Sequence, residues 1–262
     1  MEDKTISVVN GRFDVGYMEA GAGPDLLFIH GAGGLIWDPF LEQLSQHYHV
    51  IAPKLPGTAN STGVEWLMDH HDVFYFYWDF LDAVGVSGDV IVVGHSMGGW
   101  FAAEVAAMQP ARVSKLVLIA PVGLWNDDYP VADFFAMMPH ELVPALFHDQ
   151  EHPGAKMMTA PPPTDPDELR TVTVERAKML QTAARFMWPI PDKRLAERIH
   201  RISAPTLIVW GASDGLVPPQ YAEDFNNAIA NSEVAMFSAS GHMPQIEEPE
   251  AVLSRLGEFL GG

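Results

Sequence analysis

The chain has 262 residues, enough for one well-buried domain and short for two domains with full cores. Apolar residues make up 48% and charged residues 19%, which excludes a disordered chain; with no cysteine, disulfides, thiolate metal sites and a cysteine nucleophile are also excluded. Acidic residues number 34 against 15 basic ones, and the net charge of −19 repels phosphate backbones and anionic lipid surfaces, so no nucleic-acid or membrane partner is expected.

In chain order, Met1-Glu2-Asp3-Lys4-Thr5 lacks the basic start and apolar core of a signal peptide, and no apolar stretch is long enough to span a bilayer. A soluble cytoplasmic protein, monomer or homodimer, is the expectation. The runs Ile6 to Val9 and Phe13 to Glu19 flank Asn10-Gly11, a hairpin signal. Buried strands are predicted at Asp25 to Ile29, Val50 to Ala52, Val90 to Val93, Leu116 to Ile119 and Thr206 to Trp210, with a further strand at Glu233 to Phe237. Helices are predicted at Met97 to Met108, Pro218 to Ala230 and Pro249 to Leu260, the last two opening on the proline that helix entry tolerates. Val73 to Val84 has the strand propensity of Phe74-Tyr75-Phe76-Tyr77-Trp78, but Phe74, Trp78 and Leu81 share a helical face, and a helix is predicted there.

This alternation predicts an α/β fold: a mostly parallel central sheet with an antiparallel start and helices on both faces. Between residues 121 and 191 the alternation stops in a stretch rich in Pro, Met and Phe, read as a mainly helical lid inserted into a core of residues 1–120 and 192–262.

Gly94-His95-Ser96-Met97-Gly98-Gly99 follows an apolar strand and precedes a helix, the context in which G-x-S-x-G turns sharply and exposes a serine hydroxyl. A serine needs a base, and of the 11 histidines His242, in the loop Ser240 to Pro244 after a strand, is placed to reach the end of the sheet. Asp214, directly after Thr206 to Trp210 and between Ser96 and His242 in the chain, is the acid that would orient it, with Asp127 and Asp128 as fallbacks. The Gly-rich loop His30 to Gly34 faces the elbow, and the backbone N–H groups of Ala32 and Met97 are the candidate oxyanion donors. His30 and His95 are read as shaping backbone turns, with His95 also a candidate substrate contact.

Two histidine clusters carry residue types that can ligate a metal. His148-Asp149-Gln150-Glu151-His152 fits a zinc-protease spelling, but Pro153-Gly154 ends the helix it needs, and His70-His71-Asp72 reads as the entry to a helix. No metal and no organic cofactor is expected.

Together, His30 to Gly34, the Pro56-Gly57 turn, the Ser96 elbow, Asp214 and Gly241-His242 resemble the α/β-hydrolase superfamily over nearly the whole chain, most closely its esterase and meta-cleavage-product hydrolase branches. The resemblance implies a capped serine hydrolase. Lys54 departs from the acidic residue common before the Leu-Pro-Gly turn and is expected to alter charge near the site. Ser96, in place of an elbow Asp, argues against dehalogenase and epoxide hydrolase chemistry, and Met243, in place of Trp, argues against carbon–carbon bond hydrolysis.

The expected activity is cleavage of neutral esters of apolar acyl or aryl groups through an acyl-enzyme. The alternatives are a carbon–carbon bond hydrolase, a cofactor-free perhydrolase and a ligand receptor on this fold. The lid residues Phe134, Phe135, Met137, Met138, Leu142, Leu146, Phe147, Phe186, Met187 and Trp188 supply apolar surface for such a substrate. Of these, Phe134, Met138, Phe186 and Trp188, with Gly31, Trp37, His95, Val217 and Met243, are the candidate substrate contacts.

Overall fold

The computed structural model describes residues 1–261. In chain order the elements are β1 (Glu2–Val8), β2 (Phe13–Ala20), β3 (Asp25–Ile29), α1 (Pro39–Leu44), β4 (His49–Pro53), α2 (His70–Ala83), β5 (Val90–His95), α3 (Met97–Met108) and β6 (Val113–Ile119). Then follow α4 (Pro139–Leu146), α5 (Pro153–Met158), α6 (Pro166–Met187), β7 (Thr206–Gly211), α7 (Tyr221–Ala228), β8 (Ser232–Phe237), α8 (Pro244–Glu247) and α9 (Pro249–Leu260).

The eight strands form one sheet in the order β1-β2-β4-β3-β5-β6-β7-β8. The hairpin β1/β2 and the pair β2/β4 are antiparallel; every pair from β4/β3 to β7/β8 is parallel. Strands β5 and β7 are buried along their whole length, as expected where parallel strands are covered on both faces and carry β-branched residues without alternation. One core packs α2, α3 and α7 against the sheet, and the other packs α1 and α9 against its opposite face.

The aromatic run at Phe74 is helical because the chain fixes its start. Asp69 caps α2 through the amides of His71 and Asp72, and the Asp72 carboxylate reaches back to the Asp69 amide. Its broad apolar face then meets the sheet through Phe76 on Phe13 and Phe80 on Tyr17, with ring centroids 5.2 and 5.5 Å apart. Strand propensity loses to capping and to a helical face that finds a partner.

Several expectations are corrected in detail. The helix after β7 begins at Tyr221 rather than Pro218, because residues 218–220 form turns bonded from Tyr221 to Pro218 and from Ala222 to Pro219. Pro153 opens α5 instead of ending a helix, and residues 148–152 are not helical. Lys54 does not bring its charge to the elbow: its buried ammonium bonds Asp3 at 2.8 and 2.9 Å and Asn60 at 3.1 Å, fastening the β1/β2 hairpin to the loop after β4.

Between β6 and β7 the chain carries α4, α5 and α6, each entered through a proline. Where this stretch returns to the core, Arg198 forks onto Glu104 of α3 at 2.9 and 2.5 Å. Glu104 is only 3% exposed, so the bidentate pair supplies the counter-charge its burial requires.

Candidate active site

Ser96 sits between β5 and α3 with φ 58° and ψ −119°, a conformation that side chains other than glycine rarely adopt. The glycines around it let the strand, the turn and the helix close on one another. A Cβ on Gly94 would lie 2.2 Å from the Gly98 carbonyl oxygen, and one on Gly98 would lie 2.1 Å from the Ile29 carbonyl oxygen. The amide of Ser96 donates to the Ile119 carbonyl at 2.9 Å, so the elbow is bolted to the next strand.

The structure brings Ser96, His242 and Asp214 together from three loops at the same end of the sheet. Ser96 Oγ lies 2.9 Å from His242 Nε2, and His242 Nδ1 lies 2.8 Å from Asp214 Oδ2. A carboxylate only accepts, so Nδ1 carries the hydrogen and the Nε2 lone pair faces the hydroxyl. The other Asp214 oxygen accepts the amides of Leu216 and Val217, both at 2.9 Å. Asp214 therefore closes an Asx-type turn and meets the imidazole with the same carboxylate. All three residues are buried, which strengthens their mutual electrostatics. Such an array can remove a hydroxyl proton while the alcohol attacks an electrophile and return it to a leaving group.

The two neighbouring histidines bond backbone groups of adjoining segments. His30 Nδ1 donates to the Gly31 carbonyl at 2.7 Å, and its Nε2 accepts the Leu55 amide at 3.2 Å, stitching two loops together. His95 Nε2 donates to the His242 carbonyl at 3.0 Å. Burial, reinforced by the nearby His242 ring, pushes the His95 pKa down to about 3, so its imidazole stays neutral. Burial also lowers the pKa of His30.

The loop of Gly31 and Ala32 lies against the elbow: a Cβ on Gly31 would sit 3.3 Å from the Ser96 Cβ and 3.1 Å from His95 Nδ1. Among the described residues, the amides of Ala32 and Met97 donate to no loop or side-chain acceptor. Met97 is also the first residue of α3, where the helix presents unpaired N–H groups and positive partial charge.

The other predicted contacts divide. Val217 supports Asp214 through its amide, and Met243 is half-buried against the core that holds α2 and α3. Phe134 lines a cavity of about 350 Å³ between α6 and residues 134–142, together with Phe135, Met137, Leu142, Leu180 and Arg176. Met138 and Trp188 do not enter the interior and are 58% and 56% exposed. Phe186 is buried 6.2 Å from the Phe101 ring of α3 and serves packing, while Trp37 packs against the α1/α9 core with its indole N–H on Glu42. His242 pairs with Asp214 and not with Asp127 or Asp128: Asp127 accepts the Trp125 indole N–H, and the Asp128 amide donates to Asn126.

Of the histidine clusters, His148 bonds Ser213 at 2.8 Å and His152 caps α5, while His70 and His71 open α2. Among the described residues no three His, Asp or Glu side chains converge as a metal-holding group. No helix among them is long and apolar enough to cross a membrane.

Several neighbours of the site left no trace in the sequence motifs. The carbonyl of Leu146, at the end of α4, accepts the His242 amide at 2.8 Å, and that of Ala145 accepts the Gly215 amide at 3.0 Å. Met179 of α6 lies over Gly34, its sulfur 2.5 Å from where a Cβ would stand. Glu247 accepts the Gly241 amide at 2.6 Å.

The family model described as alpha/beta hydrolase fold matches residues 24–249. The chain is 31% identical, over 95% of its length, to the dihydrolipoyllysine-residue acetyltransferase component of the acetoin cleaving system of Cupriavidus necator, of which it spans 67%. It is 28% identical to Lipase 1 of Psychrobacter immobilis, over 94% of this chain and 80% of that one. It is 29% identical to the 2-hydroxy-6-oxo-6-(2'-aminophenyl)hexa-2,4-dienoic acid hydrolase of Metapseudomonas resinovorans, over 95% and 88% of the two chains. The chain belongs to the alpha/beta hydrolase family and is a hydrolase.

Proposed function

We propose that this hydrolase is a serine esterase that cleaves carboxylic esters of apolar acyl or aryl groups through an acyl-enzyme. The observation that carries the reading is the continuous hydrogen-bonded line from Ser96 Oγ through His242 to Asp214, at 2.9 and 2.8 Å. In the proposed reaction Ser96 Oγ attacks the ester carbonyl carbon as His242 Nε2 takes the hydroxyl proton. Asp214 holds the imidazole tautomer and stabilises the imidazolium. The carbonyl oxygen becomes an oxyanion between the amides of Ala32 and Met97. Collapse breaks the bond to the alcohol oxygen, which leaves with the proton from His242. Water then attacks the acyl-serine by the same route in reverse roles, releasing the acid and restoring Ser96.

The stretch 121–191 is proposed to act as the lid. Its cavity lined by Phe134, Phe135, Met137 and Leu142 supports an apolar substrate, since methionine and aromatic side chains adapt to varied hydrocarbon shapes. Gly31 and Met243 are retained as substrate contacts, Gly31 because it lies against the Ser96 Cβ. The reading extends to a cytoplasmic monomer or homodimer acting without metal or organic cofactor on a neutral small molecule. A second reading, carbon–carbon bond hydrolysis, is favoured by the name of the Metapseudomonas relative and disfavoured by Met243 beside the base.

The test is turnover of p-nitrophenyl esters from acetate upwards by the parent and by Ser96→Ala, with a ring-fission dienoate in parallel. The reading expects ester turnover that favours longer or aryl acyl groups and is abolished in Ser96→Ala. Parent-rate turnover in that variant overturns it, and preferential cleavage of the dienoate favours the second reading.

A further inference from the structure

His242 stands in a loop tied to the end of the sheet by His95 on the His242 carbonyl at 3.0 Å and by the Ser213 amide on the Ser240 carbonyl at 2.9 Å. It follows β8, an edge strand paired only to β7 and half exposed along most of its length. The base must nevertheless keep Nε2 on Ser96 and Nδ1 on Asp214, and a misplacement of an ångström in such an array is costly in rate. The fixing points of the loop are therefore part of how the site works.

Residues 145–149, the end of α4 and the turn after it, bond both this loop and the Asp214 loop beside it. Leu146 takes the His242 amide at 2.8 Å, Ala145 takes the Gly215 amide at 3.0 Å, and His148 Nδ1 lies 2.8 Å from Ser213 Oγ. The backbones touch closely enough that a Cβ on Gly241 would meet the Leu146 carbonyl oxygen at 2.6 Å. Into this seam α8 turns one charged side chain. Glu247 Oε2 accepts the Gly241 amide at 2.6 Å while its Oε1 accepts the Asp149 amide at 3.0 Å. A carboxylate bridging two backbone donors makes charge-assisted bonds, which are shorter and stronger than bonds between neutral groups. Glu248 holds the preceding residues in the same way, through the Ala239 amide at 3.0 Å and the Ser240 hydroxyl at 2.6 Å.

From this geometry we infer that Glu247 is a positioning residue for the base: by clamping Gly241 to Asp149 it fixes His242 against Ser96 and makes residues 145–149 part of the catalytic frame. The inference rests on the serine-hydrolase reading above. It gives the inserted stretch two tasks. Residues 145–149 hold the base and acid loops by backbone bonds, whereas α6 meets the loops opposite through the Met179 side chain over Gly34 and the Thr182 hydroxyl on the Gly57 carbonyl. Glu247 touches neither substrate nor reacting atoms in this scheme; it acts through His242.

The experiment measures kcat and KM for p-nitrophenyl acetate in Glu247→Ala and Glu247→Gln, each in the parent and in the His242→Ala background, with rates normalised to folded protein. In the parent background Glu247→Ala is expected to lower kcat by about tenfold or more with KM within about twofold, since the loss is one of orientation. Glu247→Gln keeps one acceptor oxygen and is expected to fall between Glu247→Ala and the parent. In the His242→Ala background Glu247→Ala is expected to cost nothing further, because the group it positions is gone. An equal fold-loss in both backgrounds, or a parent-like kcat in Glu247→Ala, overturns the inference. If Glu247→Ala does not fold, Glu247→Gln carries the same comparison, a parent-like kcat again overturning it. Ser96→Ala alongside separates the claims. Parent-rate turnover there overturns the serine-hydrolase reading and this inference with it, whereas loss there with a parent-like Glu247→Ala overturns the role of Glu247 alone.

Discussion

His95 Nε2 donates its hydrogen to the carbonyl oxygen of His242 at 3.0 Å, so the residue before Ser96 is bonded to the backbone of His242. Segments 147 residues apart in sequence are thereby joined beside the 2.9 Å contact between Ser96 Oγ and His242 Nε2. His95→Phe keeps the ring and removes the donor. We expect kcat for a short ester to fall about tenfold with little change in KM, and His95→Gln to restore part of it through its amide N–H, as steady-state kinetics on folded protein will show.

The same residue makes stability depend on pH. An unfolded His95 titrates near the ordinary histidine value of 6.5, while burial holds the folded one at about 3. Between those values the unfolded chain binds a proton that the folded chain does not, so stability falls as pH is lowered from about 6.5 towards 3, with a limiting slope of about 1.4 kcal/mol per pH unit. Denaturant unfolding of parent and His95→Gln at pH 7.5 and 5 checks this. The difference between the two pH values should be smaller in the variant.

Strain at the elbow gives a prediction of opposite sign for stability and activity. With φ at 58° and ψ at −119°, Ser96 occupies backbone space suited to glycine. Relief of such strain is worth about 1–3 kcal/mol, and the extra chain entropy of an unfolded glycine takes back about 0.5–1 kcal/mol. Ser96→Gly is therefore expected to be about 1 kcal/mol more stable than Ser96→Ala in urea unfolding while turning over no ester.

The ion pair of Glu104 and Arg198 joins α3 to the chain that returns from the inserted stretch. Removing Arg198 leaves a carboxylate that is 3% exposed without its counter-charge, at a cost of about 3 kcal/mol or more. Arg198→Ala should show this loss in denaturant unfolding, while the Arg198→Ala and Glu104→Gln double variant should recover part of it.

The sheet and the line of three side chains were legible in the sequence because each rests on a local pattern. Apolar strands ending in Gly94, Gly211 and the loop before Gly241 announce where side chains leave the sheet, and chain order then assigns Ser96, Asp214 and His242. Helix α2 was legible because Phe74, Trp78 and Leu81 share one face, whereas the Asp69 cap that helps outweigh the propensity of five consecutive aromatics shows only in the fold. The supports of the base were not legible. Leu146 and Ala145 act through backbone carbonyls, which no side chain advertises, and Glu247 is one of many acidic residues until the fold brings Asp149 and Gly241 to it. Hydrophobicity also misled at Met138 and Trp188. In a stretch interrupted by prolines no period says which side faces inward, and both side chains face solvent.

The central claim is that Ser96 carries the acyl group, and mass spectrometry of enzyme acid-quenched during turnover of a p-nitrophenyl ester tests it most directly. The account predicts a mass increase equal to one acyl group, mapped to the peptide containing Ser96 and absent from Ser96→Ala. An adduct on another residue, or turnover without any adduct in a Ser96→Ala enzyme that still works, would contradict it.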